Sequence, residues 1–172
     1  MAELIPIILP EDIQEKVSCI ARQISSDYQG KDLILVGMLK GAFIFLSDLA
    51  RHISIPVQID FMRVSSYGAD ISSSGNITLT HPIQIDVAGK HLLLVEDIVD
   101  TGRTLAWARD YFQCLNPASV HICAFIDKHE RREVDVEVDY SCFSVSEGFL
   151  VGYGLDYAEN YRELPGIYHL KI

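Results

Sequence analysis

Several features are missing from this chain, and each absence narrows what it is. No apolar run approaches the ~18 residues of a membrane-spanning helix, so no membrane partner is expected. The opening residues, Met-Ala-Glu-Leu-Ile-Pro, carry no basic cluster ahead of an apolar stretch, so no signal peptide is expected either. Basic residues are short: 14 Lys and Arg stand against 24 Asp and Glu, a formal net charge of −10. Nucleic-acid binders usually present a basic face, so no nucleic-acid partner is expected. The four cysteines, Cys19, Cys114, Cys123 and Cys142, show no C-x-x-C spacing. That argues against a zinc or disulfide framework and for reduced core thiols in a cytoplasmic protein. Internal repeats and linker-like stretches are also lacking. The 172 residues therefore read as a single domain, 1–172, large enough for a real core.

The most informative stretch that is present runs His91-Leu-Leu-Leu-Val-Glu-Asp-Ile-Val-Asp-Thr-Gly-Arg-Thr-Leu105. Leu92 to Val95 read as a buried parallel strand. Glu96 and Asp97 follow at its carboxyl end, and Asp100-Thr101-Gly102-Arg103-Thr104 turns into a helix expected to begin near Thr104. Ligands of open α/β sheets bind outside the carboxyl ends of strands. Gly102 lets backbone N–H groups converge on an anion, and the helix start adds unpaired N–H groups and its dipole. With the hydroxyls of Thr101 and Thr104, the loop suits a phosphate monoester. Carboxylates cannot hold a phosphate. Glu96 and Asp97 suit sugar hydroxyls or Mg²⁺, and Asp100 suits a proton acceptor. Phosphate, diol or metal, and base together describe a ribose phosphate. The competing reading is that these acids only cap the helix. Capping, however, takes one acid, and three placed together repel one another.

Elsewhere, Pro10 to Tyr28 reads as an amphipathic helix with Ile13, Val17, Ile20, Ala21 and Ile24 on one face. Leu33 to Val36 is a second buried strand, followed by Met38-Leu-Lys-Gly41 and a helix from about Ala42 to His52. That places Lys40 and Gly41 at another strand end beside a helix start. Such a position suits pyrophosphate, although a lone strand-end lysine is commonly just solvated. Pro56 to Val64 alternates as a strand, residues 65–76 have loop composition, and Ile77 to Ile85 returns as a strand. A loop of that length is either a lid or a passive excursion. A helix from Thr104 to about Leu115 leads to the buried strand Val120–Ile126, with Asp127, Lys128, Arg131 and Arg132 beyond it. His121 within that strand reads as structural. Val134, Val136 and Val138 alternate with acids and suggest an edge strand. In the Gly-rich segment Glu147–Asp156, Phe149 and Tyr153 are core by default, unless Phe149 lies on a heterocycle. Asp156 and Arg162 suit either a surface ion pair or a site. Strands alternating with helices predict a right-handed parallel α/β sheet.

The run Glu96-Asp97, two apolar residues, Asp100-Thr-Gly-x-Thr104 strongly resembles the phosphoribosyl-pyrophosphate signature of the type I phosphoribosyltransferases. Further stretches sharpen this to the hypoxanthine-guanine group: Val36–Gly41, Asp60-Phe61 with Ser65–Tyr67, Val95–Leu105, Asp127-Lys128 with Arg131-Arg132, and Val151–Tyr157 with Tyr161-Arg162. The resemblance implies a central twisted, mainly parallel sheet flanked by helices, a small hood formed by the chain ends, and a flexible loop at about 66–77. Ser66 and Tyr67 open that loop, which would shield the ribosyl centre from water. It implies phosphoribosyl pyrophosphate and a 6-oxopurine as substrates, Mg²⁺ as cofactor, and a homodimer or homotetramer.

By the same resemblance Lys40 and Gly41 contact pyrophosphate, often after a strained or cis peptide, and Arg162 joins them. Glu96 and Asp97 orient the ribose diol and bind metal. Asp100, Thr101, Gly102, Arg103 and Thr104 hold the 5′-phosphate, Arg103 through its backbone. Asp100 takes the proton from purine N7. Lys128 donates to the purine 6-oxygen, where adenine's amino group would be repelled. Phe149 stacks on the ring, the backbone around Leu150 and Asp156 reads its edge, and Asp156 takes a second Mg²⁺. Two rivals remain: a non-catalytic regulator on the same fold that binds nucleic acid, and a phosphatase with an Asp nucleophile.

Overall fold

A computed structural model describes residues 3–66 and 77–171. The chain runs β1 (Glu3–Ile8), α1 (Pro10–Asp27), β2 (Leu33–Met38), α2 (Phe43–His52), β3 (Val57–Ser66), β4 (Ile77–His81), β5 (His91–Val99), α3 (Arg103–Gln113), β6 (Ser119–Lys128), β7 (Tyr140–Val145), β8 (Leu150–Val151) and β9 (Ile167–Lys171). Six strands form one sheet in the order β4-β3-β2-β5-β6-β7. Only β4 is antiparallel to its neighbour. A second sheet, β1-β9-β8, joins the two ends of the chain, with Glu3 opposite Lys171.

The central strands are buried on both faces, which is why they read as unbroken apolar runs. Period-two alternation sorts them. Leu33, Leu35, Leu93, Val95, Cys123 and Phe125 pack toward α1 and α2. Ile34, Val36, Leu92, Leu94, Ile122 and Ala124 pack toward α3. The apolar face of α1, from Ile13 to Ile24, is buried as its spacing predicts. Each large side chain so removed from water contributes about 1.5–3 kcal/mol. His121 is structural as expected: its Nδ1 lies 2.8 Å from the Tyr28 hydroxyl.

Some expectations need correction. Pairing between β5 and β6 continues through Glu96 opposite Ala124 and Val99 opposite Asp127, so the acids sit in the strand, not after it. The strand expected to reach Ile85 stops at His81. Pro82, which follows, has no N–H for the ladder. Beyond it, the backbone N–H groups of Gln84 and Ile85 turn to donate to the Asp60 carboxylate. Residues 134–138 are not an edge strand. Val136 is buried and Val134 and Val138 pack with it against the α3-side core, so their alternation serves an unpaired extended segment. The edge on this side of the sheet is β7, parallel to β6. The cysteines are all free, but only Cys123 and Cys142 are core residues; Cys19 and Cys114 are exposed.

Strand order places the site. From β2 the chain moves outward through α2 to β3, and β5 then returns on the other side of β2. That reversal between β2 and β5 opens a crevice at their carboxyl ends, where α/β sheets bind ligands. Found there are the loop holding Lys40 and Gly41 and, after the acids that end β5, the turn Asp100–Gly102 into α3.

Candidate active site

Gly102 is the N-cap of α3 in the left-handed region, φ +83, and the helix starts at Arg103, one residue earlier than expected. A Cβ on Gly102 would lie 2.4 Å from the Val134 carbonyl oxygen. The N–H groups of Glu133 and Val134 both donate to the Thr101 carbonyl at 3.0 Å. The segment misread as an edge strand is therefore the brace of this loop. None of the three acids caps α3; its first N–H, at Arg103, donates to the Thr101 hydroxyl at 3.4 Å, so with no carboxylate over it the helix start suits an anion. A cavity of about 180 Å³ is lined by Glu96, Asp97, Asp100, Thr101, Gly102 and Thr104. A larger groove of about 380 Å³ lies at Gln14, Val17, Asp48, Arg51, His52 and Tyr153, but it has no such cradle. Chemistry, not size, singles out the smaller one.

Within the cavity the carboxylates differ. Burial and the adjacent Asp97 push the Glu96 carboxyl well above the usual range. Burial also raises Asp97, partly offset by hydrogen bonds from Glu96 and from backbone N–H groups. The pair sits uneasily as two anions and suits a cation or hydroxyl donors. Asp97 reaches across the switch point, since a Cβ on Gly41 would fall 1.7 Å from its Oδ2. Glycine at 41 is thus required by Asp97. The Leu39–Lys40 peptide is cis. Asp100 has one oxygen, Oδ2, 3.3 Å from Arg131. Its other oxygen, Oδ1, is buried and has no hydrogen-bond partner among the described residues. Arg103 turns its guanidinium outward to Glu133, leaving only its backbone at the cradle.

β6 ends beside this loop. Arg132 donates to the carbonyls of Asp100, Val99 and Lys128 and pairs with Asp127, tying the two strand ends together. Sequence reasoning gave Arg132 no such role. Lys128 is buried, and its ammonium donates to the Gly148 carbonyl at 3.0 Å with Glu130 also at 3.0 Å. Phe149, next along, is 50% exposed and meets Tyr157 edge-to-face at 5.5 Å. The two aromatics in doubt are resolved differently: Tyr153 is core, Phe149 an open platform. Leu150 points its side chain into the core, so only its backbone is available.

The C-terminal loop closes the other side. Gly154, φ +101, sits so close to the Gly41 carbonyl that a Cβ would lie 2.1 Å from it. Arg162 donates to the Gly154 carbonyl at 2.7 Å and pairs with Asp156 at 2.9 Å. Asp156 accepts the Glu159 N–H with its second oxygen, so both its oxygens are engaged. The backbone of Ser66 pairs with Ile77, while Tyr67 and residues 67–76 lie outside the described residues.

A sheet with a switch-point crevice, an anion cradle and an acid pair defines a class, and comparison with known proteins agrees. Residues 10–158 match the phosphoribosyl transferase domain family, and the chain belongs to that family. More narrowly, it is 46% identical over 165 residues to the hypoxanthine-guanine phosphoribosyltransferase of Streptococcus pneumoniae, covering 96% of this chain and 92% of the relative. It is 40% identical over 170 residues to the hypoxanthine phosphoribosyltransferase of Escherichia coli, covering 97% and 96%. The crystal structure of a hypoxanthine-guanine phosphoribosyltransferase from Bacillus anthracis superposes with a TM-score of 0.92 at 39% identity, over 99% of this chain and 100% of that one. The fold is that of the type I phosphoribosyltransferases.

Proposed function

We propose that this chain is a purine-salvage enzyme moving the 5-phosphoribosyl group from phosphoribosyl pyrophosphate to hypoxanthine or guanine, yielding IMP or GMP and pyrophosphate. The observation that carries this reading is the bridge at Arg132. It holds the Asp100 loop beside Lys128, whose ammonium rests on the carbonyl preceding the exposed Phe149. A phosphate cradle, a base and a 6-oxopurine platform thereby share one crevice.

In this reading the loop Asp100–Thr104 holds the 5′-phosphate through backbone N–H groups and the Thr101 and Thr104 hydroxyls. Glu96 and Asp97 accept hydrogen bonds from the ribose 2′- and 3′-hydroxyls. Lys40, Gly41 and Arg162 receive pyrophosphate. Lys128 donates to the purine 6-oxygen, Phe149 stacks on the ring, and backbone at Leu150 and Asp156 reads the remaining edge. The free oxygen of Asp100 takes the N7 proton as N9 bonds to C1′ and the pyrophosphate oxygen departs.

Among the described residues no group of three His, Cys, Asp or Glu side chains could hold a metal ion alone. The buried pair Glu96 and Asp97 nonetheless fits Mg²⁺, which commonly takes one or two carboxylates and completes its shell with water and substrate oxygens. Asp156 would contribute to a second ion through water. Bound Mg²⁺ would neutralise charge on the leaving pyrophosphate. We further propose a single domain over 1–172 with a hood built from the chain ends, a loop at about 66–77 opened by Ser66 and Tyr67, a cytoplasmic location, and a homodimer or homotetramer.

A substrate panel tests this: nucleotide formation with hypoxanthine, guanine, xanthine, adenine and orotate. Turnover is expected with hypoxanthine or guanine and not with adenine or orotate. Turnover with adenine alone would overturn the role of Lys128. A salt-sensitive shift of DNA or RNA with no nucleotide made would favour a regulator instead.

A further inference from the structure

Glu159 takes no part in the reaction described above, yet its carboxylate occupies the cations assigned to pyrophosphate. One oxygen, Oε2, lies 2.8 Å from Lys40 Nζ and 3.5 Å from Arg162 Nη2. A single anionic oxygen shared by a lysine and an arginine is what a phosphoryl oxygen would provide. The backbone is arranged to deliver it. Ala158, Glu159 and Tyr161 all have positive φ, 48°, 66° and 78°, and the Glu159 N–H is tied to Asp156 Oδ2 at 2.8 Å. Arg162 Nε is buried with no hydrogen-bond partner among the described residues. The Glu159 side chain is 65% exposed, so leaving the pair costs it no burial. The Lys40 hydrogen bond and the nearby Arg162 hold the Glu159 carboxyl below its usual range, which keeps it ionised.

We propose that Glu159 is a built-in substitute for pyrophosphate: it neutralises Lys40 and Arg162 when the site is empty, yields to the incoming pyrophosphoryl group, and returns as pyrophosphate leaves. It acts as a positioning residue that sets how tightly this half of the substrate is held. Without it, Lys40 would face the empty crevice uncompensated and Arg162 would keep only Asp156, so the two cations would hold pyrophosphate harder. Competition from an exposed carboxylate of this kind is modest and weakens pyrophosphate by roughly 1.5- to 5-fold. The inference rests on the assignment of Lys40 and Arg162 to pyrophosphate.

The test is a calorimetric titration of pyrophosphate with Mg²⁺ into the wild type, Glu159→Gln, Glu159→Asn and Lys40→Ala, at low and high salt. Both Glu159 variants keep the backbone N–H that binds Asp156, and asparagine tolerates the positive φ. Both are expected to bind pyrophosphate roughly 1.5- to 5-fold more tightly than wild type at low salt, with the gain shrinking at high salt. In turnover assays KM for phosphoribosyl pyrophosphate should fall in parallel, with the melting temperature unchanged. Unchanged or weaker pyrophosphate binding in both Glu159 variants, with Lys40→Ala still weakening it, would overturn the role of Glu159 alone. No measurable pyrophosphate binding by the wild type would remove the pyrophosphate site and this inference with it.

Discussion

At residue 41 one methyl group decides whether the crevice can form. A Cβ there would collide with the Asp97 carboxylate at 1.7 Å, and Asp97 is half of the acid pair proposed to face the ribose. Gly41→Ala should therefore move Asp97 and lower kcat/KM by about 10²-fold, the typical cost of a displacement near 1 Å at a reacting centre; steady-state kinetics would show it. Asp100 is governed by what it lacks. Its buried Oδ1 has no partner among the described residues, and an amide in its place removes the proton acceptor. Asp100→Asn should lower turnover by roughly 10²–10⁴-fold with phosphoribosyl-pyrophosphate binding retained. Wild-type turnover in that variant would end its role as base. The sequence pattern exposed Asp100, Glu96 and Asp97 because three acids beside a Leu/Val strand have no structural use. It could not expose Arg132 or Glu159, whose partners lie across loops and include backbone carbonyls that no residue pattern reveals.

One element, the turn between β5 and α3, combines two opposed demands. It must stay open to an anion at the helix start while its own acids are buried. The acid pair carries a pH signature. Burial raises both carboxyls in the folded state, Glu96 most. Below the ordinary carboxylate range both the folded and unfolded chains are protonated, and the pair carries no penalty. As pH rises from there through the raised folded values, the unfolded chain ionises first and stability is lost. Glu96→Gln should thus be more stable than wild type at pH 8, with the difference vanishing near pH 4, as read from urea midpoints. The brace behind the turn makes a separate prediction. Gly102→Ala puts a non-glycine at φ +83 against the Val134 carbonyl and should cost about 1–3 kcal/mol of stability. Periodicity made β2, β5, β6 and α1 legible, because strands buried on both faces and a helix with one apolar face leave plain patterns. It misled at Val134–Val138, where alternation marks an extended segment braced on the core without strand partners. It also extended β4 past Pro82 because the apolar Ile83 and Ile85 kept the beat after the ladder had ended.

Across the whole molecule, function depends on contacts distant in sequence. Gly154 packs on Gly41, Arg132 links β5 to β6, and Glu3 pairs with Lys171. None of these pairings is written in local composition. β8 has only two residues and β1 contains Pro6, so neither announces a strand. Resemblance to a family implied which residues gather at the site, but not the contacts at Gly154 and Arg132 that hold them together. A crevice assembled from β2, β5, β6 and the C-terminal loop should stabilise the entire fold when filled. Phosphoribosyl pyrophosphate with Mg²⁺ at 100 times its dissociation constant should contribute about 2.7 kcal/mol, visible as a higher melting temperature.

The central claim is that cradle, acid pair and purine platform act on one pair of substrates in a single step. Its most direct test is to incubate the protein with phosphoribosyl pyrophosphate, hypoxanthine and Mg²⁺ and quantify both products together. The account predicts IMP and pyrophosphate in equal amounts, with little of either when Mg²⁺ is withheld. Pyrophosphate released without IMP, or no conversion of any 6-oxopurine, would contradict it.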